Sequence, residues 1–168
     1  MRKAVGKKFL LAITCVLAAV FVSMAYSHCQ IPCGIYGDKA RFDMIAENIT
    51  TIEKSMRQIT QLSKQDKPDM NQLVRWVQNK EKHADDTSDI LTYYFMAQRV
   101  KPADKADAKA YNEYLKKLVL LHEMLISSMK AKQTTDLSHV EKLKTLLAEF
   151  NDAYFGRTCS EHEHGHQH

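Results

Sequence analysis

Glycine and proline are scarce, five and three in 168 residues. That scarcity excludes collagen-like repeats, low-complexity linkers and turn-rich β-sandwiches. The sequence has no Gly-rich phosphate loop, no Ser/His/Asp pattern and no Cys-x-x-Cys-His, the last of which excludes the covalent-haem bundles. A basic excess is also missing once the chain is divided. The formal net charge is +4, but Arg2, Lys3, Lys7 and Lys8 are the only charged residues before position 28. Beyond that point 20 Lys and Arg face 20 Asp and Glu. A nucleic-acid binder carries a basic face, and this near-neutral remainder has none. Disorder is excluded as well, because the hydrophobic 45% recurs at helical spacing along most of the chain.

Residues 1–27 read as a secretory leader. A basic start precedes an apolar run at 9–22 and a short polar segment that ends Ala25-Tyr26-Ser27. The run falls short of the roughly 20 residues of a membrane-spanning helix, and the small residues Ala25 and Ser27 suit a peptidase. Cleavage between Ser27 and His28 is therefore expected, giving a secreted or periplasmic chain with no membrane attachment. An uncleaved anchor is the competing reading. Cys15 lies inside the apolar run and leaves with the leader.

The rest of the chain is patterned as four amphipathic helices. Phe42, Ile45, Ile49, Ile52, Met56, Ile59 and Leu62 step by threes and fours and predict a helix over 38–63. Pro68 suits the first turn of a second helix running to about 100, marked by Leu73, Val77, Ala84, Leu91 and Tyr94 or Phe95. Its polar middle, 79–89, predicts either a kink or an inward-facing polar patch. Tyr111, Tyr114, Leu118, Leu121, Leu125 and Met129 mark a third helix over roughly 104–132. Leu137, Val140, Leu143, Leu147, Phe150 and Tyr154 mark a fourth, with Ser138 and Glu141 spaced as a capping box. Four such stripes joined by short connectors predict an all-α fold, an antiparallel four-helix bundle over 38–156.

The chemistry concentrates just after the expected cut, in His28-Cys29-Gln30-Ile31-Pro32-Cys33-Gly34-Ile35-Tyr36. Cleavage gives His28 a free amine beside its imidazole. That amine, the Cys29 amide nitrogen and the Cys29 sulfur close two fused five-membered chelate rings on one metal. Cys33, brought round by a turn at Pro32 and Gly34, adds a second sulfur, and the imidazole is available as an axial ligand. A square-planar N2S2 set points to nickel or copper(II), since zinc prefers a tetrahedron. Thiolates and a deprotonated amide also stabilise a higher oxidation state. The bland alternative is a Cys29–Cys33 disulfide in an oxidising compartment.

The pattern His-Cys-x-x-Pro-Cys-Gly-x-Tyr over 28–36 resembles the nickel-binding hook of the nickel-containing superoxide dismutase family. The resemblance implies one nickel ion per subunit, held by His28, Cys29 and Cys33, at an irregular hook over 28–37 attached to the bundle. It implies that Pro32 is the cis-proline closing the hook, with Gly34 supporting the turn, and that Tyr36 limits access and orders water or an anion. It further implies a second tyrosine from a bundle helix, for which Tyr94 is the counterpart, with Tyr93 the other candidate. A first-helix carboxylate supporting the axial imidazole is assigned to Asp43. The implied reaction is disproportionation of superoxide to oxygen and hydrogen peroxide by Ni(III)/Ni(II) cycling, in a homohexamer. Two departures stand out: Gly37-Asp38 replaces the Asp-Pro that often follows the hook tyrosine, and the leader is secretory rather than a short pro-segment.

The tail over 157–168 reads as a flexible, His-rich strand. His162, His164, His166 and His168 alternate with polar residues and can bind divalent metals at neutral pH, so the tail is expected to collect nickel for the hook. Cys159 is the odd thiol. His83, His122 and His139 lie on helices without partners at metal-ligand spacing, and His122, beside Leu121, reads as a satisfied bundle histidine. Trp76 is expected to pack on the bundle or on a neighbouring subunit. Two further function classes are compatible with these residues. One is a non-enzymatic periplasmic nickel- or copper-binding protein using hook and tail together; the other is a disulfide-stapled helical interaction protein.

Overall fold

The computed structural model describes residues 37–156. Helix α1 spans Asp38–Ser63. Helix α2 spans Met70–Asp89 and continues without a break into a π-helical segment, Ile90–Arg99. Helices α3 and α4 span Ala108–Gln133 and Ser138–Phe155.

Connector length sets the topology. At 1.5 Å per residue the 26 residues of α3 extend about 39 Å, whereas eight connecting residues reach at most about 28 Å. Consecutive helices must therefore run antiparallel. Packing of α1 on α2, α2 on α3, α3 on α4 and α4 back on α1 closes the four-helix ring.

The expected bounds of α1 are met, and its stripe Phe42, Ile45, Ile49, Ile52, Met56 is almost fully buried. One end of the bundle is an aromatic cluster. Phe42, Phe95 and Phe150 lie 5.0–5.3 Å apart by ring centroid, and Tyr154 closes on all three within 5.6 Å. Edge-to-face pairs such as Phe95–Phe150 add roughly 1 kcal/mol each beyond the area they bury.

Part of the polar stretch of α2 faces inward. Lys80 and Thr87 are buried, Asn79 donates to Ser55 Oγ, and His83 Nδ1 meets Asn48 Oδ1 at 2.7 Å. The Lys80 ammonium donates to the carbonyls of Ala131, Lys132 and Thr134, which closes the C-terminal end of α3. That end would otherwise expose unpaired carbonyls.

Five local expectations are corrected. Helix α2 begins after an Asp69 N-cap that accepts from Gln72 N–H, so Pro68 precedes the cap instead of sitting in the first turn. Helix α3 begins later than expected, where Asp107 accepts from Ala110 N–H. The capping box at Ser138 does not form. Leu137 occupies the cap position, which puts Ser138 one residue inside the helix, and its N–H is taken by Asp136. His122 is exposed rather than satisfied inside the bundle: Leu121 is fully buried, and the next residue turns outward. Met129 likewise points out, because the buried face of α3 is Leu120, Leu121, Met124, Ser127, Ser128 and Ala131. Trp76 is half-buried with the Lys54 ammonium over its ring.

Candidate functional site

The first turn of α1, the π segment and the last turn of α4 meet at the aromatic end of the bundle. Their polar groups converge on one carboxylate. Asp38 Oδ1 accepts from the Tyr94 hydroxyl at 2.5 Å, and Oδ2 accepts from the Tyr154 hydroxyl at 2.8 Å. The Arg99 guanidinium lies 3.0 Å from Oδ1 and donates to the Tyr94 oxygen at 3.0 Å. Two guanidinium groups also approach the Tyr94 ring, Arg99 at 4.9 Å and Arg41 at 5.1 Å from its centroid. Tyr94 is 2% exposed, so its hydroxyl requires a protein partner, and among the described residues Asp38 and Arg99 both serve.

Helical register explains why these groups meet. In an α-helix, residues five apart point about 140° away from each other. A π turn bonds i to i+5 and stacks such residues on one face. Tyr94 and Arg99 are five apart, and the π segment ends with Val100 N–H on the Phe95 carbonyl. The register therefore delivers both side chains to Asp38.

The electrostatics follow from the geometry. Burial pushes the Asp38 carboxyl up, but the hydrogen bonds from Tyr94 and Tyr154 and the Arg99 charge outweigh it and hold the group below its ordinary range. Burial and the bond to Asp38 raise the Tyr94 hydroxyl, and the same two causes raise Tyr154 strongly. The bond to Tyr94 raises Arg99 further. At neutral pH the cluster is one carboxylate, two neutral phenols and two guanidinium ions. Tyr94 keeps its proton and donates it in the hydrogen bond to Asp38.

Of the residues singled out in the sequence, Tyr94 sits in this cluster. Tyr93, its neighbour, is 52% exposed. Asp43 is on the exposed side of α1, paired with Lys39 at 3.0 Å, and the carboxylate that meets Tyr94 is Asp38. His28, Cys29, Pro32, Cys33, Gly34, Tyr36, Cys159 and the tail histidines His162, His164, His166 and His168 lie outside the described residues.

Sequence reasoning missed Asp38, Arg99 and Tyr154 as members of a site. One signal was available: a tyrosine such as Tyr154 in a core stripe must find a polar partner. The five-residue spacing of Tyr94 and Arg99 offered none, since α-periodicity puts them on different faces.

Among the described residues no three His, Cys, Asp or Glu side chains gather to hold a metal ion. The imidazole of His28 and the thiols of Cys29 and Cys33 are donor types suited to nickel. That mixed nitrogen–sulfur set fits nickel better than the carboxylates and hydroxyls of the bundle do.

The family model described as nickel-containing superoxide dismutase matches residues 23–158, most of the chain. Neither a curated protein nor a solved structure matches it.

Proposed function

The chain belongs to the nickel-containing superoxide dismutase family, an oxidoreductase with superoxide as substrate and nickel as cofactor, and we propose that the nine residues 28–36 are where it holds the metal. The observation that carries this reading is a family match spanning a segment whose donors suit nickel. His28 would hold the metal through its amine and imidazole, Cys29 through its amide nitrogen and thiolate, and Cys33 through a second thiolate. Pro32 and Gly34 set the turn between them. Nickel, when bound, supplies a one-electron couple between Ni(III) and Ni(II), so that one superoxide is oxidised to oxygen and a second is reduced, with two protons, to hydrogen peroxide.

The protein's own part is to position, screen and stay protonated. Tyr36 and Tyr94 limit access and order water or an anion. Tyr94 suits that role because Asp38 and Arg99 fix its hydroxyl from two sides. Asp38 stands five positions after Cys33 in sequence, so the clamp on Asp38 also anchors the chain where it leaves the donor segment. Asp43, exposed and paired with Lys39, is the weaker candidate for supporting the imidazole.

The same reading extends to processing and assembly. A peptidase cuts between Ser27 and His28, and the mature enzyme is secreted or periplasmic. The domains are then a cleaved leader at 1–27, a hook at 28–37, a bundle at 38–156 and a metal-collecting tail at 157–168. Copies assemble as a homohexamer. The exposed side of α3 carries Leu115, Val119, Ile126 and Met129, apolar surface of the kind that assembly covers.

The test is superoxide consumption by a nickel-loaded chain beginning at His28, beside the same chain with one extra alanine in front. Fast nickel-dependent turnover is expected in the first and its loss in the second. Equal turnover in both would remove the His28 amine from the ligand set. Stoichiometric nickel binding without turnover in either would leave a metal carrier.

A further inference from the structure

A small cavity of about 130 Å³ opens at the aromatic end of the bundle, between the connector after the π segment, the start of α3 and the end of α4. Arg99, Lys101 and Lys117 line it, with the Tyr114 and Tyr154 rings and a single carboxylate, Glu113. Three cations thus face one acid across the cavity. Lys117 lies over the Tyr154 ring, 5.9 Å from its centroid.

We propose that this cavity is a binding site for a small inorganic oxyanion of the phosphate class, held by Arg99, Lys101 and Lys117 with the Tyr114 hydroxyl as a neutral donor. Ammonium and guanidinium groups are the side chains that bind such anions, and low-dielectric walls concentrate their field. The volume is well below the roughly 300 Å³ at which pockets for larger organic ligands begin, so a nucleotide does not fit.

The site is coupled to the Tyr94 cluster through one residue. Arg99 lines the cavity and also holds Asp38 and the Tyr94 oxygen. An anion in the cavity competes with Asp38 for that guanidinium and so loosens the clamp on Tyr94. None of this requires nickel, which separates the proposal from the metal reading.

The experiment is titration of inorganic phosphate into the nickel-loaded and the metal-free chain beginning at His28 by calorimetry, with chloride at matched ionic strength as the control. Saturable one-to-one binding is expected in both forms. Lys101→Gln with Lys117→Gln should weaken it about tenfold, and Glu113→Gln, which removes the only acid, should tighten it about threefold. All three positions are on the surface, and circular dichroism verifies that the variants fold. Phosphate heats no larger than those of chloride, or an affinity unchanged in both variants, would overturn the proposal.

Discussion

Replacing Asp38 by Asn tests the cluster most directly, because it keeps the shape and removes the charge. The carboxylate accepts from two phenols and faces Arg99 at 3.0 Å. The amide has one oxygen, so one of the two tyrosine hydroxyls is left facing an NH2 group. A hydrogen bond to a charged group contributes about 1.5–3 kcal/mol, and the mismatch adds part of a desolvation penalty. The ion pair itself adds little, since both side chains are about 30% exposed. A loss of about 2–4 kcal/mol follows, which for a bundle of this size lowers Tm by roughly 8–16 °C.

The pH dependence distinguishes this account from a generic packing defect. The carboxyl of Asp38 is held below its ordinary value in the folded chain. Its contribution is therefore complete above the unfolded value, near 3.9, and is lost as pH falls through the lower folded one. Thermal unfolding of the two proteins should differ fully at neutral pH and converge as the solution is taken below about pH 4. A Tm difference that stays constant down to about pH 2, or one absent at neutral pH, would refute the reasoning.

Three further outcomes are expected. Tyr154→Phe removes one bond to Asp38 and should cost about 1–2 kcal/mol in urea unfolding; ultraviolet titration should also lose a late phenol, because burial and Asp38 raise the Tyr154 hydroxyl strongly. Lys80→Met leaves the Ala131, Lys132 and Thr134 carbonyls without their shared donor and should cost about 2–4 kcal/mol, seen as a lower urea midpoint with unchanged slope. Deleting residues 160–168 should slow nickel loading at limiting metal, followed by the rise of nickel absorption; an unchanged rate would dismiss the tail as a collector.

What could be read from the sequence was what periodicity encodes. The stripe on α1 is regular because its residues pack on a single line of neighbours, and Ile45, Ile52 and Met56 are fully buried as spaced. On α3 apolar residues occur on more than one face, so Met129 was assigned to the core when Leu120 and Met124 fill it. Caps failed for a different reason: Ser138 and Glu141 have the right spacing, but Asp136, two residues earlier, accepts from the Ser138 N–H and Leu137 takes the cap position. The family was legible because the pattern at 28–36 that resembles it is local in sequence. The cluster around Asp38 was not, since its members come from three elements and meet only after the bundle forms.

The π segment has a consequence for how this site can change by mutation. A π turn is an α-helix carrying one residue more than its turns require. Removing one residue between Tyr94 and Arg99 would let the helix relax to ordinary spacing, and the bundle on either side could keep its packing. Arg99 would then stand four residues after Tyr94, about 40° round an α-helix, and so stay on the side that faces Asp38. A single codon thus separates a π-helical chain from an α-helical one with the same pair on the same face, and descent can gain or lose the extra residue in one step without dispersing the cluster.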